Sequence, residues 1–278
     1  MNSARASWMP VVTGDGSLTF AHPVHGQTCH SKAGAWTESR ERYAVACRVR
    51  ERALEIKAAG ATSFRLLDVG TGLGLNLAAA LEALSGTGLT LDADTLEIDR
   101  SVIEATLAQG VATLADLERW HAPVRVALAG ALRAPSGTPV ECAGGTLRLY
   151  LGDGRESLRT LDPSARFDAV FLDPFSPGVD ASLWEAQFLA EIARRMAPGS
   201  MLSTYTVSLG VRAALARAGL KVGCGAAVLT KAAGTLASPD REPLPLDAKT
   251  MRRLEARLAR ADGFRPEFRP ASGFPDDA

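Results

Sequence analysis

Asp68-Val-Gly-Thr-Gly-Leu-Gly-Leu-Asn76 places three glycines at alternating positions directly behind an acid. Gly70, Gly72 and Gly74 lack a Cβ, so the chain can turn sharply there and let a ligand approach the backbone. A dinucleotide site, where a pyrophosphate meets a helix N-terminus, wants G-x-G-x-x-G. The spacing here is G-x-G-x-G. Further along, Glu97-Ile-Asp99 closes another apolar run, and Asp99 offers a carboxylate that can accept both hydrogen bonds of a ribose diol. Gly152-Asp153 closes a third run, where Asp153 either meets a ligand or caps the next helix. Asp173 closes a fourth, ahead of a loop, Pro174-Phe-Ser-Pro177, stiffened by two prolines. An amine attacks only as its free base, so a carboxylate at that strand end can orient it and take its proton. The alternative for Asp173 is a capping or turn aspartate. Phe175 adds a planar ring able to hold a nucleobase or sit against positive charge.

The elements that position these groups change period along the chain. Residues 64–69 form a short apolar strand, followed by the glycine turn and a helix over 75–84. A strand at 95–98 and a helix at 101–107 repeat the theme. Two apolar alternating runs in 123–151, around Gly144-Gly145, predict a hairpin ending in the strand 147–151. A buried strand follows at 167–172, then a helix over 181–196 closed by Pro198-Gly199. A strand at 201–206, a helix at 211–218 and a hairpin strand within 220–229 complete the series. This alternation predicts a Rossmann-like α/β fold with a doubly wound, mostly parallel sheet. Ahead of it, Gly14-Asp15-Gly16 marks a hairpin turn, and residues 37–57 show helical spacing, with Thr37 as cap and Gly60 just past the end. Residues 247–262 form a charged amphipathic helix, and the tail after Gly263 is loose. The organisation expected is an N-terminal extension (1–60) packing on a core (61–240), then a C-terminal helix and tail (241–278).

The 278 residues are 46% hydrophobic, which excludes wholesale disorder and gives one large α/β domain enough apolar mass to bury. Positive and negative side chains balance at 31 each, which excludes a uniformly basic coat but not a local basic face. No apolar run approaches the roughly 20 residues of a membrane span. The N-terminus lacks the apolar stretch of a secretory signal. Cys29, Cys47, Cys142 and Cys224 show no C-x-x-C pairing and read as reduced thiols of a cytoplasmic protein. The histidines have no zinc spacing, so no metal is expected.

The G-x-G-x-G turn behind Asp68 resembles motif I of class I S-adenosylmethionine methyltransferases, and D-P-F-S-P resembles, without matching, the D/N-P-P-F/Y loop of amino methyltransferases. More specifically, five segments resemble, in order, the methyltransferase domain of MnmC and its stand-alone relatives. They are C-H-S-K-A-G-A-W-T-E-S-R40, the glycine turn, L-G-D-G-R155, F-D-A-V-F-L-D-P-F-S-P-G-V-D-A-S-L-W184 and S-T-Y-T-V-S-L-G-V-R212. The likeness runs over about residues 15–235. It implies S-adenosylmethionine as cofactor and methylation of the aminomethyl group on a modified wobble uridine of tRNA, without the flavin oxidoreductase half of the fused enzymes. Carried over, the cofactor residues are Glu38 in the entrance segment, Asp68, Gly70, Gly72, Gly74, Asn76, Asp99, Asp153 for the adenine amine, and Asp173. Asp173 and Phe175 are the catalytic candidates. Lys32, Arg40, Phe175, Tyr205 and Lys231 are the substrate candidates, with a core role as the alternative for Tyr205. Arg42, Arg48, Arg50 and Arg52, and the series Arg252, Arg253, Arg257 and Arg260, are further phosphate candidates or solvated helix faces. Three other readings stay open: a methyltransferase of small amines, a non-catalytic cofactor-binding scaffold, and a nicotinamide reductase, the last disfavoured by the glycine spacing.

Overall fold

A computed structural model describes residues 7–24, 26–109, 114–178, 181–225, 227–229 and 233–260. The chain opens with an antiparallel hairpin of β1 (Met9–Val12) and β2 (Leu18–Ala21). Asp15 in its turn accepts hydrogen bonds from Thr13 and Ser17, and from the backbone and hydroxyl of Thr37 at 2.9 Å each. Partial burial opposes the charge, but the bonds from Ser17, Thr37 and Thr13 outweigh it and lower the carboxyl to about 2. The turn acid thus staples the hairpin to the following helix.

That helix is not the single element its spacing predicts. It consists of α1 (Ala35–Glu38), a π-helical segment (Ser39–Val45) and α2 (Val49–Ala58), with Thr37 inside α1 rather than capping it. The wider π turn brings Ser39, Arg42, Tyr43 and Ala44 to the buried side together, and Arg48 adopts a left-handed conformation (φ 54°) before α2 restarts. Apolar spacing cannot register such a widening, because it changes the number of residues per turn only locally.

β3 (Ser63–Val69), α3 (Leu75–Leu84), β4 (Thr90–Glu97) and α4 (Arg100–Gln109) follow as expected, with longer strands. The predicted alternation at 123–131 is wrong. These residues belong to a helix, α5 (Ala115–Ala131), with Pro123 inside it. Its buried positions, Leu117, His121, Val124, Leu128 and Ala131, recur every three or four residues, while Val126 is exposed. The hairpin around Gly144-Gly145 is present as β5 (Pro139–Cys142) and β6 (Gly145–Leu151). Then come α6 (Gly154–Thr160), β7 (Phe167–Leu172), a short 3-10 turn (Ser182–Trp184) and α7 (Ala186–Arg194). The chain passes from α7 straight into β8 (Met196–Thr204), so Pro198-Gly199 opens a strand instead of closing a helix. It ends with α8 (Leu209–Arg217), the hairpin β9 (Lys221–Cys224) and β10 (Thr235–Ser238), and α9 (Ala248–Ala259).

Eight strands form one sheet in the order β5-β6-β4-β3-β7-β8-β10-β9. The central five are parallel; β5 on one edge and the β10-β9 pair on the other are antiparallel. Successive side chains of β3 serve opposite cores: Phe64 and Leu66 join one cluster, Leu67 and Val69 the other. The sheet is therefore buried on both faces, which is why β3 and β7 read as continuous apolar runs. The connections leave β3 toward β4 on one side and return to β7 on the other. That reversal opens a crevice at the carboxyl ends of β4, β3 and β7, where open α/β sheets bind ligands.

Candidate active site

The crevice holds about 1030 Å³ of space, part of it open to solvent. Its floor comes from the strand ends: Gly70 and Gly72 after β3, Glu97 and Ile98 at β4, Gly152 and Asp153 after β6, and Asp173 after β7. The three glycines of the turn have different tasks. A Cβ on Gly70 would stand 2.6 Å from the Asp173 carbonyl oxygen, so the two loops meet only because it is absent. A Cβ on Gly74 would strike Val124 and Leu128 of α5, making this a packing glycine away from the cleft. At Gly72 a Cβ would meet nothing closer than 3.9 Å and would point into free space beside the cleft.

Glu97 and Asp99 part ways. Glu97 is buried, lines the cleft, and accepts hydrogen bonds from the backbone N–H groups of Gly72 (2.8 Å) and Asp99 (2.9 Å). Burial raises its carboxyl while those donors pull it back. Asp99 turns onto α4 instead, accepting from the backbone and hydroxyl of Ser101, and does not line the cleft. Asp153 has two positions in the structure at once. It caps α6 through the Arg155 N–H, and it lines the cleft. The Arg155 side chain bonded to it lowers its carboxyl.

Asp173 is not a helix cap. One carboxylate oxygen accepts from Asn76 Nδ2 at 2.9 Å, and its N–H donates to the Val69 carbonyl. Asn76 is buried behind it and does not reach the cleft. The loop beyond is fastened from both sides: Tyr205 Oη donates to the Pro174 carbonyl and Trp184 Nε1 to that of Phe175, each at 2.9 Å. Tyr205 lines the cleft, and burial, then the charges of Asp173 and Glu38, holds its phenol well above the usual range.

The N-terminal extension supplies the roof. Trp8 stacks near-parallel over Phe175, with ring centroids 6.4 Å apart, while His22 stands edge-on to both. Trp8 Nε1 donates to Ser101 Oγ, anchoring the hairpin to α4. Cys29 and His30 also face the cleft, as does Glu38, which accepts from the Ser31 N–H and pairs with buried Arg42 at 3.4 Å. The sequence reading missed Trp8 and His22; neither carries a local signal, since their partners lie far away in the chain. Asp68 and Gly74 sit beneath the cleft. Lys32 is exposed and does not line it; Arg40 pairs with Glu82 at 2.6 Å and lies over Trp36. Lys231 falls outside the described residues.

No lysine or arginine lines the cleft among the described residues, whereas Glu38, Glu97, Asp153 and Asp173 do. Such a surface suits a ligand of net positive charge and opposes a dinucleotide pyrophosphate. Residues 119–240 match the family profile described as S-adenosyl-L-methionine-dependent methyltransferase. MNMC2 from Aquifex aeolicus, a solved structure, superposes with a TM-score of 0.76 at 30% identity, over 91% of this chain and 77% of that one. The chain belongs to this family of S-adenosyl-L-methionine-dependent methyltransferases. Its curated relatives include the "tRNA 5-methylaminomethyl-2-thiouridine biosynthesis bifunctional protein MnmC" of Chromobacterium violaceum, 33% identical over 72% of this chain. The protein of that name in Paracidovorax citrulli is 33% identical over 77%. The methyltransferase spans only 30% and 32% of those two relatives' lengths.

The residues present fit the cofactor: free space over Gly72, two backbone N–H donors fixing buried Glu97, and an anionic lining. When bound, S-adenosylmethionine supplies an electrophilic methyl group on a positively charged sulfur. Among the described residues no group of three or more His, Cys, Asp or Glu side chains is placed to hold a metal, and no helix is long and apolar enough to cross a membrane.

Proposed function

We propose that this methyltransferase acts on nitrogen, taking as acceptor the 5-aminomethyl group of a modified wobble uridine in tRNA. The observation that carries the reading is Asp173 held in the cleft by Asn76, next to a planar roof of Phe175 and Trp8. A primary amine arrives mostly protonated near neutral pH, and the Asp173 carboxylate orients it and takes the proton. Phe175 receives the flat face of the pyrimidine. On the cofactor side, Glu97 is the acceptor for the ribose diol, in place of Asp99, and Asp153 for the adenine amine. Glu38 closes the entrance. The extension assigned to 1–60 packs on the core assigned to 61–240, a reading supported by Trp8, Cys29, His30 and Glu38 lining the cleft among its described residues. The names of the curated relatives support tRNA as the substrate, and a tRNA substrate makes the cytoplasm the proposed place of work.

A second reading, a small free amine as acceptor, is favoured by one observation: Arg40 is engaged by Glu82 and not turned to the cleft. Incubation with labelled S-adenosylmethionine and tRNA from a strain lacking this methyl group, then nucleoside analysis, decides between them. Label in a methylaminomethyl-uridine, with binding that weakens steeply as salt rises, is the expected result. Label in isolated amines but never in tRNA overturns the first reading.

A further inference from the structure

Asp68 is the acid in front of the glycine turn, and its surroundings are unusual for a carboxylate. It is completely buried near the carboxyl end of β3 and does not line the cleft. One oxygen, Oδ2, accepts from Thr95 Oγ1 at 2.8 Å, and Thr95 in turn meets Thr71 Oγ1 of the glycine turn at 2.6 Å. The other oxygen, Oδ1, has no hydrogen-bond partner among the described residues. A buried carboxylate oxygen without a donor is costly when ionised and tolerable when the group is neutral.

The neighbours make ionisation harder. The charges acting on Asp68 are those of Asp173 beyond β7 and Glu97 at the end of β4, both negative. On the π-helical segment, Tyr43 is fully buried and feels Asp173 and Glu38; Arg42 is already paired to Glu38. On α3 stands neutral Asn76, and on α5 His121, which bonds to the Leu73 carbonyl and is held by burial at about 4. Cys29 and His30 complete the surroundings on the side of the N-terminal segment, and burial raises the Cys29 thiol beyond any ionisation near neutrality. Burial first, then Asp173 and Glu97, pushes Asp68 up to about 8 against the bond from Thr95.

We propose that Asp68 is a proton-holding positioning residue that couples cofactor charge to occupancy: it keeps its proton while the cleft lacks a cation and gives it to solvent when a sulfonium ligand seats. A positive charge beside Asp173 and Glu97 cancels the repulsion that keeps Asp68 neutral, so the anion becomes tolerable. The reaction turns the sulfonium into a neutral thioether. The repulsion then returns, Asp68 takes a proton back, and the anionic cluster no longer favours the spent ligand. The site thereby discriminates cofactor from product by charge rather than by shape.

Titration calorimetry of the whole protein at pH 7, in buffers of different ionisation enthalpy, counts the protons exchanged on binding. S-Adenosylmethionine is expected to release a large fraction of a proton, and S-adenosylhomocysteine much less. In Asp68→Asn, which has the shape of the neutral acid, the sulfonium-dependent release disappears and the affinity ratio of the two ligands narrows severalfold. Thr95→Val removes the bond that favours the anion and shifts the pH of maximal release upward, which keeps the idea testable if Asp68→Asn fails to fold. Equal release for both ligands, no release in the parent, or full release in Asp68→Asn overturns the proposal, the last assigning the proton to Asp173 or Glu97.

Discussion

Replacing Asp173 by Asn keeps the size of the side chain and removes its charge and basicity. The geometry tolerates the change, because the new amide oxygen can take the hydrogen bond that Asn76 Nδ2 now gives to Asp173 at 2.9 Å. What disappears is the cleft-lining carboxylate at the start of the loop that carries Phe175. Loss of a positioned acid–base group lowers turnover about a hundredfold or more, which is about 2.7 kcal/mol of barrier. Cofactor affinity follows two opposed effects. One anionic group leaves a cleft that attracts a cation, but the charge that holds Asp68 and Tyr43 neutral leaves with it. The net change expected is within a fewfold. Single-turnover methylation of the amine acceptor, followed from neutral to alkaline pH, separates these terms. The parent rate climbs with pH toward the free amine, whose ordinary value is about 10. The Asn variant starts far lower and recovers part of the gap at high pH, where solvent base deprotonates the amine. Normal turnover of the variant at neutral pH would refute the assignment and leave catalysis to proximity alone.

Four further substitutions, at three positions, probe the cradle and the roof. Gly72→Ala places a methyl in free space at a φ of 50°, so it costs roughly 1 kcal/mol of backbone strain yet weakens cofactor binding tenfold or more by calorimetry. Gly70→Ala, whose Cβ would stand 2.6 Å from the Asp173 carbonyl oxygen, displaces the loop and loses turnover as well. Trp8→Phe keeps the ring over Phe175 and loses the bond to Ser101, about 1 kcal/mol in denaturant unfolding, with turnover retained. Trp8→Ala removes the ring and raises the acceptor KM about tenfold, the scale of one base stacked on an aromatic; unchanged KM would take the roof out of acceptor binding.

How much of this was legible in the sequence depends on the range over which each feature is encoded. The β3–turn–α3 unit is local: a mostly apolar strand, three alternating glycines and a helix of mostly small and apolar residues follow one another without a gap. Its fold and its place at the sheet switch point could therefore be read directly. Pro123 and the run Val124, Val126, Leu128 imitate a broken, alternating pattern, and only the tertiary contacts of α5 show that Val126 is the exposed member. The π turn and the left-handed Arg48 are invisible for the same reason: the surface they serve is built by other parts of the chain.

Glu97 and Asp99 show where pattern reasoning fails at the site itself. Residues two apart share a face of an extended strand, so alternation gives both acids the same claim to the ligand. The decision falls to where β4 stops. Its last ladder partner is Glu97, opposite Leu151, and beyond it the chain leaves the strand and enters α4. Glu97 is thereby left within reach of two backbone N–H donors, one of them from Gly72 of the glycine turn, while Asp99 stands just ahead of α4 and binds Ser101. Ser101 also receives Trp8, so Asp99 orients the serine that holds the roof in place. The three strand-end carboxylates of the cleft then form a graded set. Arg155 keeps Asp153 anionic at the rim, backbone donors hold Glu97 at mid-depth, and Asn76 is among the groups that hold Asp173 at the start of the loop. All three are the same chemistry, so in the proposed reaction place separates their roles: Asp173 begins the loop that carries Phe175, which is where an amine on a ring held by Phe175 would arrive, while Asp153 and Glu97 stand at the ends of β6 and β4.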